Sequence, residues 1–393
     1  MALTFQHARD CVLQHVQPRL ETESVPLLDS DGRVLAEEIS ADRDYPPFPR
    51  SARDGFAVRS ADLPGDLRVI GEARAGEAFP GSVNPGETVE IMTGAPLPAG
   101  ADAVVMIEHT ERLGDHVRIV RRLKNGENFT PQGSEARAGA VMLTAGRRIG
   151  FSEVALLATV GRTCASVYRR PRVAILPTGD EIVEAGEPVG PSQIRNSNAA
   201  SLALQVRRAG GIPEILPIAR DNEASTRSLM ERGLESDLLL LSGGVSAGKY
   251  DIVEQVLADL GAEFFFDRVL IQPGQPLVFG RARGAFFFGL PGNPVSTMVT
   301  FEAFARVAIE RMQGLENVSL QLLRSRLTRD FRHKTGLTRF LPASLSQDGA
   351  AVTPEPWQGS GDIAAVARAN AFLVADADRE SWQAGEDIRV MLK

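Results

Sequence analysis

Acidic residues follow three short apolar runs of this chain, and they are Asp180, Glu181, Asp221 and Asp251. If the runs are parallel strands, these carboxylates lie at the carboxyl edge of one sheet, where ligands bind. Converging carboxylates repel one another unless a cation lies between them, and oxygen ligands of this kind suit Mg²⁺, which often joins protein carboxylates to substrate phosphates. Each acid alone is more simply a turn former or a helix cap. Four of them at one edge favour a metal site.

A glycine-rich segment follows the apolar run 237–241 and precedes a predicted helix. Its small residues are Ser242, Gly243, Gly244 and Ser246. Small residues let backbone N–H groups approach an anion, and a helix N-terminus favours negative charge. The spacing nearly matches a Walker A loop, but Tyr250 stands where that loop has a Mg²⁺-binding Ser or Thr. We therefore exclude a P-loop nucleotide hydrolase and predict a phosphate cradle, with a plain strand-to-helix turn as the alternative.

A second turn of the same kind joins the apolar run 286–290 to a predicted helix. It consists of Pro291, Gly292, Asn293 and Pro294. This turn could form another backbone anion site, although the pattern alone is weak.

The elements that position these turns alternate between strand and helix from residue 171 to residue 312. Strands are predicted at 173–176, 215–218, 237–241 and 286–290, and helices at 197–209, 223–233, 251–260 and 295–312. Such an alternation predicts a doubly wound parallel sheet with helices on both faces.

The rest of the chain has a different pattern. Helices are predicted at 4–17 and at 151–160, the second with Ser152 at its start, and a proline-rich connection is predicted at 45–49. Short apolar runs separated by turn residues predict a small β module before residue 140 and a β-barrel-like domain at the end. The predicted class is multidomain α/β plus β, divided into 1–44 with 140–168, 45–139, 169–314 and 315–393.

Composition limits the classes of function. The chain has 393 residues, of which 43% are hydrophobic and 24% charged, and its net charge is -7. It can therefore bury a core, and it is a poor candidate for binding nucleic acid. No apolar run reaches the ~18 residues of a membrane span, and no signal segment is evident, so we expect a cytoplasmic protein without membrane contact. Cys11 and Cys164 are too few for a disulfide framework or a cysteine zinc site.

Several long motifs resemble those of the molybdopterin molybdenumtransferases, the MoeA family, and of the E domain of gephyrin. They are SGGVSAGKYD at 242–251, IQPGQPLVFG at 271–280, FFFGLPGNPVS at 286–296, SARDGFAV at 51–58, IMTGAPLPAGADAVVMIE at 91–108 and PTGDEI at 177–182. They follow the family's order and extend over nearly the whole chain.

The resemblance implies an elongated homodimer of four-domain subunits, in which residues 169–314 form the molybdopterin-binding-like domain. It also implies a reaction. The family takes adenylylated molybdopterin from an adenylylating partner protein, places molybdenum from molybdate on the dithiolene and releases AMP, with Mg²⁺ or a similar cation.

The resemblance also implies roles for individual residues. Catalytic positions would be Asp54, Thr93, Glu135, Glu181, Asp221 and Asp251; the acids at 181, 221 and 251 would also bind metal, with Asp180. Phosphate or pterin would bind at Ser242, Gly243, Gly244, Ser246, Pro291, Gly292, Asn293 and Pro294. Molybdate would meet Arg268, Gln272, Gln275, Ser296, Arg339 and Ser360. Asp54 and Thr93 belong to the half that in the family faces the sheet domain of the partner subunit.

The chain departs from the family pattern at an anion-binding position. Gln272 and Gln275 stand where the family commonly has two lysines, and Glu135 stands in a changed acidic triplet, whereas Arg268 stays basic. Glutamine donates hydrogen bonds but brings no charge, and charge-assisted bonds are about twice as strong. The sequence therefore predicts weakened molybdate binding.

Two other functions remain open from the sequence. One is a paralogue that binds or carries the pterin without inserting metal, and the two glutamines favour it. The other is a non-catalytic scaffold, as in animal relatives of gephyrin. The acids Glu181, Asp221 and Asp251 argue against a complete loss of chemistry.

Overall fold

A mixed six-stranded sheet forms the centre of the chain in this computed structural model, which describes residues 2–244 and 252–393. In spatial order its strands are Ile212–Ile215, Arg172–Pro177, Leu238–Ser242, Ala285–Leu290, Pro276–Ala282 and Glu263–Arg268. The first four pair in parallel and the last two are added through antiparallel ladders. Leu238–Ser242 is buried along its whole length, as expected of a central strand covered on both faces.

Helices cover both faces of this central sheet. One face is packed by Phe5–His15, Ser197–Arg208, Pro294–Thr300 and Arg306–Met312, with a π-helical segment at Phe301–Ala305. The other face is packed by Glu223–Gly233 and Ile252–Asp259. The predicted doubly wound arrangement is confirmed, with two antiparallel strands in addition.

The first 168 residues build a second six-stranded sheet and three strand pairs. Three short strand pairs lead into and out of a sheet module, namely Thr22–Pro26 with Cys164–Tyr168, Ile39–Ser40 with Val141–Leu143, and Arg50–Ser51 with Phe129–Thr130. The module sheet runs Ala103–Met106, Gly55–Val58, Glu87–Ile91, Gly65–Ala73, His116–Ile119 and Thr110–Leu113. The helix Phe151–Thr159 and the short helices Leu27–Asp29, Ser60–Asp62 and Ile107–His109 complete this part.

The C-terminal part forms a closed barrel. Its strands are Thr338–Leu345, Ala351–Pro354, Leu322–Leu327, Asp387–Leu392 and Ala371–Ala375, and the last pairs with the first. A short strand from the central part, Ile271–Gln272, also pairs with Thr338–Leu345. The barrel carries the helix Ile363–Arg368 and the strand pair Phe331–Arg332 with Ser381–Trp382. The predicted β-barrel-like domain is confirmed.

Two predicted elements differ from the structure. The strand predicted at 215–218 lies at Ile212–Ile215, and the chain then continues beside its neighbour to Ala219, whose N–H donates to the carbonyl of Pro177. The helix predicted at 295–312 is interrupted by the π-helical segment. The helix predicted at 151–160 is confirmed at Phe151–Thr159, with Gly150 as its cap.

A membrane-crossing helix is missing from the described residues: none of their helices is both long enough and apolar enough.

Candidate active site

A cleft of about 450 Å³ opens at the carboxyl edge of the central sheet. It lies between the ends of Arg172–Pro177, Leu238–Ser242 and Ala285–Leu290. The residues that line it are Thr178, Gly179, Glu181, Ile182, Ile194, Arg195, Asn196, Ser197, Asn198, Asp221, Ser242, Gly243, Gly244, Pro276, Pro291, Gly292, Asn293 and Pro294. The structure therefore brings both predicted anion turns to one cavity.

The glycine-rich turn requires glycine for two reasons. Gly243 and Gly244 have φ of 94° and 67°, in the left-handed region that favours glycine. A Cβ on Gly244 would lie 2.6 Å from Cγ2 of Val253 and 2.9 Å from Oγ1 of Thr178. The turn is thus packed closely against Val253 and Thr178, and any side chain at residue 244 would push the turn away from them.

Asn198 connects the two anion turns. Its side-chain amide donates to Oγ of Ser242 at 2.9 Å and to the carbonyl of Gly292 at 2.8 Å. Asn198 lies in the first turn of the helix Ser197–Arg208, which begins inside the cleft with Asn196 as its cap. A helix N-terminus in this position adds a favourable field for an anionic ligand.

Hydrogen bonds join the two turns that form the acidic edge of the cleft. Oδ1 of Asp180 accepts from the N–H of Asp221 at 3.1 Å, and Oδ2 of Asp221 accepts from the N–H of Asp180 at 3.3 Å. The guanidinium of Arg220 donates to the carbonyls of Gly179, Asp180 and Ile182. These bonds fix the turn that carries Glu181, whose carboxylate lies over the backbone of Gly179.

The fit of this edge to a magnesium ion follows from its oxygen donors. Glu181 and Asp221 both line the cleft, whereas Asp180 does not. Within residues 2–244 and 252–393, no group of three His, Cys, Asp or Glu side chains gathers closely enough to hold a metal by itself. Mg²⁺ in phosphate-transfer sites keeps several waters and needs only one or two protein carboxylates, because substrate phosphates supply further ligands. The two described carboxylates fit that manner of binding.

The residues predicted to meet molybdate surround the turn that follows Ile271–Gln272. Gln272 is the strand partner of Arg339, and the N–H of Val269 donates to the carbonyl of Gln275 at 3.0 Å. Arg268 is the strand partner of Pro276, which lines the cleft. The turn therefore joins the cleft to the barrel.

The other two residues predicted to meet molybdate are Ser296, in the first turn of the helix Pro294–Thr300, and Ser360, beside that turn. Ser296 is buried, and its carbonyl lies 3.6 Å from the position of a Cβ on Gly274. The carbonyl of Ser360, in the barrel, accepts from the N–H of Val295 at 3.0 Å.

Arg339 contacts a histidine ring. Its Nε lies 3.1 Å from Nδ1 of His333, and burial lowers the pKa of the guanidinium. The ring of His333 in turn stacks on Trp382, with 5.2 Å between centroids. The Nε edge of the guanidinium therefore lies against the ring of His333.

Three predicted catalytic residues lie elsewhere, in the N-terminal module. Oδ1 of Asp54 accepts from the N–H of Thr93 at 2.7 Å, and this bond is the main reason why the pKa of Asp54 is lowered. Glu135 pairs with Arg50 at 2.7 Å. The structure brings Asp54 and Thr93 together but does not bring these three residues into the cleft of the same chain.

Two predicted site residues, Ser246 and Asp251, lie outside the described residues. Their assigned roles therefore stay predictions.

Sequence reasoning missed the start of one helix in the cleft. Arg195, Asn196 and Asn198 line the cavity and were not predicted to do so, and neither was Thr178, which follows the strand Arg172–Pro177. The signal was the Asn-Ser-Asn run at 196–198, which begins the helix Ser197–Arg208 just as the turn at 291–294 begins the helix Pro294–Thr300. Arg195 is the one cationic side chain among the described lining residues.

Three family models match successive parts of the chain. Residues 3–161 match the MoeA N-terminal region, domains I and II, residues 174–311 match a probable molybdopterin binding domain, and residues 324–393 match the MoeA C-terminal region, domain IV.

Curated relatives and solved structures agree with these models. The chain is 36% identical to a molybdopterin molybdenumtransferase of Bacillus subtilis strain 168, over 96% of this chain and 91% of the relative. It is 33% identical to the enzyme of that name from Staphylococcus epidermidis, over 96% and 92%. A MoeA protein of Pyrococcus horikoshii OT3 superimposes with a TM-score of 0.86 at 28% identity, over 100% of both chains.

Proposed function

The chain belongs to the MoeA family of molybdopterin molybdenumtransferases, and from this membership we propose that it inserts molybdate into adenylylated molybdopterin with release of AMP. The substrate contains a phosphoanhydride, so the site must bind phosphate oxygens and neutralise the charge that develops as the bond breaks.

One observation carries the proposal, namely that the cleft combines an anion cradle with carboxylates. Gly243 and Gly244 form a tight turn at its floor, and Glu181 and Asp221 line its edge. A cradle alone would indicate only phosphate binding. The added carboxylates suit a divalent cation that bridges protein and phosphate.

Glu181 and Asp221, with Asp251, are the residues that would hold Mg²⁺. When bound, Mg²⁺ supplies charge neutralisation at the anhydride oxygens. The other tasks belong to the chain itself. The turn at Gly243–Gly244 orients the phosphates, and the first turn of Ser197–Arg208 stabilises their negative charge.

We assign molybdate to the turn at Gln272–Gln275 and to Arg339. The support is their adjacency, because Gln272 and Arg339 are strand partners beside the cleft. The dianion would then meet one guanidinium and the amide donors of glutamine. Asp54 and Thr93 are assigned to the same reaction from the partner subunit of a homodimer.

The test is AMP release from adenylylated molybdopterin, measured with and without molybdate and Mg²⁺. We expect release to require both. Glu181→Gln should raise the Mg²⁺ concentration for half-maximal rate by about 10- to 100-fold, because a charged ligand is lost. The control is Glu235→Gln, which removes an exposed carboxylate outside the cleft. Release that needs no cation, or equal effects of the two variants, would contradict the proposal.

The two glutamines favour a second candidate, a carrier that binds the pterin without inserting metal. Among the described lining residues the cleft has a single cation, Arg195. Tight binding of adenylylated molybdopterin without AMP release at high molybdate would support the carrier over the transferase.

A further inference from the structure

The amide of Asn198 has a defined orientation in the cleft. The carbonyl of Gly292 can only accept a hydrogen bond, so the group that contacts it at 2.8 Å must be the NH₂ of Asn198. The same NH₂ group contacts Oγ of Ser242 at 2.9 Å. In the described residues, Oδ1 of Asn198 is buried without a partner. The orientation of the amide therefore depends on the two bonds that it donates.

This orientation determines what the hydroxyl of Ser242 can do. A serine hydroxyl has one hydrogen to donate and two lone pairs to accept with. Because Oγ of Ser242 accepts from Asn198, its own hydrogen stays available, and no acceptor for it occurs in the described part of the chain. Ser242 is only 2% exposed, and it borders the cleft between the two anion turns.

We infer that Asn198 is a positioning residue that presents the Ser242 hydroxyl as a hydrogen-bond donor to an anionic oxygen of the bound ligand. The identity of that ligand, an adenylylated phosphate compound, rests on the proposed function. Asn198 acts in two ways: it occupies a lone pair of Ser242, and it ties the end of Leu238–Ser242 to the second anion turn at Gly292. A phosphate oxygen is the acceptor that suits such a donor at the end of a parallel strand.

Asn198→Asp tests the inference because it reverses the hydrogen bond. A carboxylate has no N–H, so it accepts from the Ser242 hydroxyl and turns that hydrogen away from the ligand. The carboxylate also cannot donate to the carbonyl of Gly292, so that hydrogen bond is lost as well. The probe is AMP, whose dissociation constant is measured by calorimetry on the full chain. We expect an increase of about 10- to 100-fold, the effect of losing a buried hydrogen bond.

Asn196→Asp is the matched control. It adds the same charge to the same cleft two residues away, but keeps its own bond, because the side chain of Asn196 accepts from the N–H of Ala199 at 3.1 Å. The inference requires Asn198→Asp to weaken AMP binding at least about 10-fold more than Asn196→Asp does, at equal melting temperatures. Equal weakening by the two variants would mean that added charge explains the effect, and the inference would be overturned.

Coupling to Ser242 separates a positioning role from a structural one. In a Ser242→Ala background there is no hydroxyl to present, so Asn198→Asp should weaken binding much less than in the wild type. In the wild-type background, Asn198→Asp should raise the KM for adenylylated molybdopterin, because this substrate carries the anionic group that Ser242 would contact. Equal fold-changes in both backgrounds would overturn the inference.

The outcome for Asn198 can be distinguished from the outcome for the proposed reaction. Wild-type chain could bind AMP and yet form no AMP from adenylylated molybdopterin when molybdate and Mg²⁺ are added. The transferase proposal then fails, while the comparison of variants still decides the role of Asn198. If wild-type chain binds neither AMP nor inorganic phosphate, the cleft holds no such anion and the inference is overturned.

Discussion

Gln272 and Gln275 can donate hydrogen bonds to an anion but cannot neutralise it. Converting both to lysine adds two charges beside Arg339, the strand partner of Gln272. We expect the molybdate concentration for half-maximal AMP release to fall by about 10-fold or more, because charge-assisted hydrogen bonds are about twice as strong as neutral ones. Gln14→Lys with Gln383→Lys is the matched control, since both side chains are exposed and lie outside the cleft. An unchanged molybdate dependence would contradict the assignment of this turn.

The titration of a single carboxyl group, that of Asp54, gives a second prediction at the level of residues. The N–H of Thr93 donates to its carboxylate and lowers its pKa in the folded chain. A carboxyl group with a lowered pKa stabilises the fold above its unfolded pKa, and this contribution is lost as the pH falls through the folded value. We expect the carboxyl carbon of Asp54, followed by NMR, to titrate below the ordinary value of about 3.9, and at that value in urea. Equal midpoints in both states would contradict the bond.

At the scale of elements, the sequence predicts well where the signal is local. The apolar runs at 173–176, 237–241 and 286–290 become central strands, since a strand covered on both faces needs continuous apolar residues. The antiparallel strands Glu263–Arg268 and Pro276–Ala282 were not predicted, because their partners are chosen by long-range pairing. The π-helical segment also escaped prediction; one of its carbonyls accepts a hydrogen bond from a distant helix, a contact that the local sequence does not reveal.

That contact involves Arg9 in the N-terminal helix. Its guanidinium donates to the carbonyl of Ala303 at 2.9 Å, and burial lowers its pKa. Arg9→Met keeps the length of the side chain but removes the buried hydrogen bond to the carbonyl of Ala303. We expect a loss of about 1–3 kcal/mol in the free energy of unfolding, measured by urea denaturation.

The control for this loss is Arg332→Met, which removes an exposed arginine whose ion pair with Glu380 is 3.4 Å long. Exposed pairs contribute at most about 1 kcal/mol. If the two variants destabilise the chain equally, the bond from Arg9 does not support the π-helical segment.

The whole molecule separates its predicted catalytic residues into two groups. Glu181 and Asp221 line the cleft, whereas Asp54, Thr93 and Glu135 lie in the N-terminal module and do not. The local motifs of both groups could be predicted from the sequence, but whether the two groups meet between chains could not, because that depends on assembly.

Mixing two variants tests the expected homodimer, at a Mg²⁺ concentration too low for Glu181→Gln to release AMP. If a site combines Asp54 of one subunit with Glu181 of the other, a dimer of Asp54→Ala with Glu181→Gln contains one intact site and one doubly altered site. Random exchange should then restore about a quarter of the wild-type rate of AMP release. If both residues act within one chain, the mixture stays as inactive as each variant alone.

The paired strands at the base of the N-terminal module have a topological consequence. The polypeptide leaves through Ile39–Ser40 and returns beside it through Val141–Leu143. The chain therefore enters and leaves the module side by side at this pair of strands. Asp54, Thr93 and Glu135 all lie between the two strands in sequence, so they belong to one inserted unit, which also contains the bond between Asp54 and Thr93.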